Sequence, residues 1–389
     1  MPPPDGPRKR GQLLSNPQAR LPHWAPVSYL LAFAGFTALI VLHEAGHFIA
    51  AKAVGMRVER FSLFFGPLLV KTRRGETEYG IGPIPLGGYV KITGMNPNEE
   101  IPPEVRPRAY YNQVVWKRIV VILAGPAMNL LIAFALLAGI FWANGVAVTK
   151  HGQPVYSHQV KVLEPPASQY LRPEDEIVAV DGKQGLSVDQ ITREISSHRC
   201  AGSPTPGCIA TTPVALQIRR AGKLETFRML PRYDPTLNRT RVGFSFGALI
   251  RSTGPAEAAS ESVSEMWYVT HTTVTTIARL FEPKERDQLH GVVAGIKVTQ
   301  QRFAFDTTEA LYTLALISLS LAVVNLFPFL PLDGGHVFWA VAEKVRGRRI
   351  PFSVMERASV VGFVLVVLVF VVGLSNDIST LAGRGFPTR

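Results

Sequence analysis

Four long apolar runs dominate the pattern of the chain, at about 27–51, 119–143, 309–330 and 358–374. Each approaches the roughly 20 residues that a helix needs to cross the hydrocarbon of a bilayer. The first run is too long for the apolar segment of a secretory signal, and no small-residue cleavage site follows it. It predicts a retained span. Between the runs the pattern changes. Residues 1–25 are proline-rich and carry little hydrophobic pattern, which predicts a disordered tail. Residues 52–118 are polar, and within them "GGYVKI" (Gly87–Ile92) alternates as a strand does. Residues 156–245 hold "HQVKVL", "DEIVAVDG", "VALQIRR" and "KLETFRML", four predicted strands, and "SVDQITREISSH", a predicted helix with a Ser or Asp cap.

This order predicts a polytopic α-helical membrane protein with about four transmembrane helices and one separate α+β domain. The expected segments are a tail at 1–25, the first half of a membrane core at 26–148 and the domain at 156–250. An amphipathic linker at 251–306, the second half of the core at 307–375 and a tail at 376–389 complete them.

Charge adds topology. The net charge is +12, which in a soluble protein would point to nucleic acid. Here the basic residues cluster between the first and second runs, from Lys52 to Arg118, and between the third and fourth, from Lys344 to Arg349. That is the positive-inside pattern of cytoplasmic loops, and nucleic acid is not an expected partner. Both termini and residues 144–308 then fall on the exterior side. Cys200 and Cys208 lie in that exterior segment, and "CAGSPTPGC" closes a short turn-rich loop suited to a disulfide in an oxidising compartment.

The first run contains "HEAGH", residues 43–47. On a helix, positions i and i+4 share a face, so His43 and His47 offer two imidazoles to one metal ion. Glu44 stands beside them, placed to take a proton from an attacking water. Ionisable groups inside a span are costly, roughly 2.5–3.5 kcal/mol for a central charge on insertion scales. Three within five residues require a shared purpose. Zinc in a catalytic site takes three protein ligands and leaves a position open. The first and third runs cross in the same direction, and the third ends in "NLFPFLPLDGGHVF". Asp333 is therefore the expected third ligand, at matching depth. Pro328 and Pro331 force irregular backbone there, which membrane proteins tolerate only when it is buried or lines a wet cavity. Asn325 offers an amide for a peptide carbonyl or a developing oxyanion. His336 is a weaker candidate and is set aside.

Taken together, HEAGH, "ERFSLFFGP", "IPLGGYVKITGM", "AGPAMN", a single exterior domain and "NLFPFLPLDGGH" resemble the bacterial site-2 proteases. These are intramembrane zinc metalloproteases of regulated intramembrane proteolysis. The resemblance implies one zinc ion on His43, His47 and Asp333, with Glu44 as catalytic base. It implies substrate positioning by Asn325 and active-site lining by Gly125 and Asn129. It also implies a membrane-associated β-hairpin at Gly87, Gly88, Tyr89, Val90, Lys91 and Ile92, which would receive an unwound substrate. The exterior domain resembles a PDZ domain through "YLRPEDEIVAVDG", although Glu174 stands where the motif has glycine. The stretch "LHGVVAGI" lacks a proline frequent in the family. The implied substrates are single-pass membrane proteins already trimmed by a site-1 protease, such as anti-sigma factors, or remnant signal peptides. The implied location is the bacterial inner membrane, with the active site toward the cytoplasm. Two rival readings of the same residues are a metal transporter and a catalytically dead PDZ scaffold. A carboxylate between the two histidines argues against the first, and the complete ligand set against the second.

Overall fold

The computed structural model describes residues 25–96, 99–150, 153–235, 237–279, 294–296, 299–300 and 306–382. The expected N-terminal tail, the "LHGVV" stretch and the last residues of the C-terminal tail lie outside them. The chain divides into two compact units: residues 1–140 with 259–389, and residues 141–258.

The first unit is built on helices. Helix α1 spans Ala25–Ala53. A four-stranded sheet follows: β1 (Val58–Phe65), β2 (Val70–Arg74), β3 (Thr77–Ile81) and β4 (Ile84–Ile92). Its order is β2-β3-β1-β4, with β1 parallel to β3 and antiparallel to β4. Gly87–Ile92, expected as a hairpin, lies within the single strand β4, at one edge of this sheet. The polar residues of the loop knit it together. Arg108, helped by Lys52, holds the Glu76 carboxyl down at about 2. Helix α2 runs from Val115 to Asn144. Ala51, Met56, Val58, Ile92, Tyr110, Val121 and Ile122 bury a core shared by α1, the sheet and α2.

The second unit carries strands β5 (Tyr156–Leu163) and β6 (Glu176–Val180), helix α3 (Val188–Ser197), then β7 (Val214–Arg220), β8 (Lys223–Met229) and β9 (Phe244–Ala248). The strand order is β8-β7-β6-β5-β9, with antiparallel neighbours. Ser187 caps α3: its hydroxyl accepts from the Gln190 amide, and the Gln190 side chain accepts from the Ser187 amide. Alternate inward residues Val214, Leu216 and Ile218 of β7 meet Ile191 and Ile195 of α3 in one core. The pattern along the chain did not reveal β9. Cys200 and Cys208 are joined by a disulfide, with Cα atoms 6.2 Å apart.

Helix α4 (Pro255–Ala278) lies in the segment expected to be a linker. It is packed rather than free: Met266 and Val269 meet Leu319 and Val323, and Tyr312 donates to Glu265 at 2.6 Å. Helix α5 (Thr307–Asn325) opens on Asp306, whose carboxylate accepts from the Thr308 and Glu309 amides. It stops at Asn325, five residues short of the expected end of the third run. Proline at 328 and 331 denies further helix its backbone donors. The chain turns, and α6 (Asp333–Arg346) begins on Asp333 itself. Asp333 is therefore not the tail of a span but the head of the next helix. Gly334 makes this turn possible, because a side chain there would put Cβ 2.2 Å from the Leu326 carbonyl oxygen. Helix α7 (Phe352–Ala382) completes the unit. Among the described residues, four helical segments, Val27–Ala53, Val115–Asn144, Thr307–Asn325 and Ser353–Ser379, are long and apolar enough to cross a membrane.

Candidate metal centre

The site grows from the spacing along α1. One turn of helix places His43 and His47 above one another, each only 7% exposed. Their Nε2 atoms lie 3.3 Å apart. The start of α6 brings Asp333 to them: its Oδ2 is 3.3 Å from His43 Nε2 and 3.4 Å from His47 Nε2. The three atoms form a nearly equilateral triangle. A tetrahedral ion with arms of roughly 2.0–2.1 Å has edges between its ligand atoms of about 3.3–3.4 Å. Asp333 Oδ2 is also buried without a hydrogen-bond donor. A buried carboxylate oxygen left so is costly unless a cation satisfies it. The donor set and its spacing fit a metal such as zinc, and these residues form a group able to hold one ion.

Helix α2 sets the two imidazoles. His47 Nδ1 donates to the Val121 carbonyl at 2.8 Å, which leaves the Nε2 lone pair for a metal. Gly125, one turn further on, leaves room for that ring: a Cβ there would sit 2.2 Å from His47 Nε2. Asn129, fully buried, places Nδ2 3.0 Å from His43 Nδ1, with its Oδ1 buried and unpartnered. Turning this amide over brings Oδ1 to the ring. It then accepts from Nδ1–H, and His43 Nε2 keeps its lone pair. That is the orientation metal binding requires. Gly125 and Asn129, expected to line the active site, lie against His47 and His43 respectively.

In front of the ligands opens a cavity of about 440 Å3. Its walls include Glu44 from α1, Asn325 at the end of α5, Pro331, and Gly87, Gly88, Tyr89, Val90 and Ile92 from β4. Glu44 lies close against the strand. A Cβ on Gly88 would stand 3.3 Å from Glu44 Cγ. The strand residue that departs from expectation is Lys91. Its ammonium pairs with Glu59 at 2.7 Å and Glu99 at 2.9 Å and does not border the cavity. His336, set aside on sequence grounds, does border the cavity, three residues after Asp333 on the same helix.

Comparison with known proteins agrees with this geometry. Residues 31–369 match the profile of Peptidase family M50. The chain belongs to Peptidase family M50. This is the family of the site-2 proteases that the motifs resemble. The zinc metalloprotease Rip1 of Mycobacterium tuberculosis is 31% identical over 344 residues, covering 79% of this chain and 83% of its own length. A Nostoc protein provisionally named a zinc metalloprotease is 30% identical over 349 residues, 87% of this chain and 92% of its own. One from Rhizobium meliloti, named in the same way, is 29% identical over 370 residues, 89% and 95% of the two chains. Membership of this family and the four apolar helices make the chain a membrane-type metalloprotease by class.

Proposed function

We propose that the chain is an intramembrane zinc endopeptidase that cuts single-pass membrane proteins in or near their transmembrane segments. One zinc ion would be held by His43, His47 and Asp333. The observation that carries this reading is the triangle of ligand atoms with 3.3–3.4 Å sides, open to a cavity bounded by Glu44, Asn325 and a strand edge.

Zinc there would supply Lewis acidity to the attacking water and the peptide carbonyl. Glu44 accepts the proton the water gives up and returns it to the departing amine. Strand β4, close against Glu44 at Gly88, confines the carboxylate on that side. Asn325 presents its amide to the carbonyl oxygen as negative charge develops there. A substrate helix cannot be cut while its own amides are bonded within it. The outer edge of β4 offers an unwound segment a backbone to pair with. The second unit is read as a PDZ-like domain. An antiparallel sheet with one capped helix, and "PEDEIVAVDG" at a strand-turn, support that reading. The basic 52–118 and 344–349 segments support an inner-membrane orientation with the active site toward the cytoplasm. The resemblance supplies the substrates: single-pass proteins first trimmed by a site-1 protease, such as anti-sigma factors, or remnant signal peptides.

The test uses the full chain in lipid vesicles with a panel of single-pass candidate substrates. The parent should cleave one or more of them. Glu44→Gln should retain about one zinc per chain and lose cleavage by several orders of magnitude. A Glu44→Gln protein that cleaves at the parent rate would sink the assignment. Zinc moved across the vesicle wall with no cleavage by the parent would favour a transporter.

A further inference from the structure

Arg118 belongs by sequence among the basic loop residues, yet the structure buries it. It lies in the first turn of α2 at 4% exposure. Its guanidinium meets Glu343 of α6, Nη1 to Oε2 at 3.0 Å, and lies 6.0 Å from the centre of the Tyr110 ring. The Glu343 side chain is 16% exposed. Removing two charges from water is expensive and is repaid only by close pairing. An exposed pair at the same place would have made a simpler helix start.

What this pair connects gives it a role. The buried stripe of α2 reads Arg118, Val121, Gly125, Asn129, positions that return to one face of a helix. Val121 holds His47, Gly125 leaves it room, and Asn129 holds His43. Arg118 holds α6, the helix whose first residue is Asp333. One face of α2 therefore reaches all three ligands, two directly and the third through a rigid helix. Asp333 needs such a hold. The chain before it is a turn rather than helix, and the Leu332 side chain gives α6 no cap.

We propose that Arg118 and Glu343 are positioning residues for the metal centre: their buried ion pair fixes α6 against α2 and thereby fixes Asp333 Oδ2 on the two histidines. The proposal rests on the metal-site reading above.

The experiment uses the purified full chain in detergent. Zinc affinity is measured by competition with a chromophoric chelator, and coordination by the visible spectrum of the cobalt(II)-loaded protein. The parent is measured first; a parent that binds no zinc contradicts the metal site itself. Glu343→Gln and Arg118→Gln are each expected to weaken zinc binding on the order of 10–100-fold, as loss of a residue supporting a ligand does. Each should also shift the cobalt bands. Leu137→Ala, in the same helix but remote from the pair, controls for lost packing and should lower thermal stability while leaving both readouts at parent values. The reciprocal exchange Arg118→Glu with Glu343→Arg should recover part of the affinity if either single variant folds poorly. Parent-like affinity and spectrum in Glu343→Gln, or equal losses in Leu137→Ala, would overturn the proposal.

Discussion

Each candidate ligand is set by a different neighbour: His47 by the Val121 carbonyl, His43 by the Asn129 side chain and Asp333 by its place at the head of α6. His43, His47 and Asp333 carry metal-binding groups at helical spacing and matching depth, and the structure brings their ligand atoms within 3.3–3.4 Å. Nothing in the sequence marks the Val121 carbonyl, because every residue has one. Gly125 could be noticed only as part of a pattern, and the clearance it leaves for the His47 ring is visible only in three dimensions. Arg118 was read as a loop cation because charge alone does not reveal burial. A prediction belongs at this scale. Gly125→Ala must push the His47 ring or part α1 from α2, since its Cβ would lie 2.2 Å from Nε2. Zinc affinity should fall roughly 10–100-fold with helix content unchanged by circular dichroism. Parent-like affinity would show that the histidine is not held as described.

At the scale of elements, the apolar runs predicted the spanning helices well because lipid imposes one simple demand on composition. The third helix ended early because proline stops a helix whatever the hydropathy of the residues around it. The strand at Gly87–Ile92 was legible from alternation, but its sheet was not. The parallel pairing of β1 with β3 joins segments separated by a polar connection, and alternation says nothing of partners. Strand β4 is expected to matter for substrate and base together. Val90→Pro removes one backbone donor from the strand that borders the cavity. One backbone hydrogen bond is worth about 1 kcal/mol, or roughly fivefold in rate. Cleavage should fall by at least that factor with zinc content unchanged. Substrates carrying glycine or proline at the cleavage segment should lose less, because their chain is already open. Equal rates for parent and variant on every substrate would remove β4 from the mechanism.

For the whole molecule, sequence order predicts a membrane core and an α+β domain at 156–250, and the chain divides into compact units of residues 1–140 with 259–389 and residues 141–258. One core built from two halves, 26–148 and 307–375, was expected from matching depth, but local patterns give no distance across the gap between them. His43 and Asp333 are 290 positions apart in number (333 − 43), yet their ligand atoms are 3.3 Å apart. That closure brings the first residue of α6 to the inner half of α1 and completes the group able to hold one ion. X-ray absorption at the zinc edge of the purified full chain tests it most directly. The expected spectrum shows two imidazole nitrogens and one carboxylate oxygen at about 2.0–2.1 Å, with one imidazole lost in His43→Ala and the carboxylate lost in Asp333→Ala. Zinc in the parent with a spectrum unchanged by Asp333→Ala would contradict the three-ligand centre.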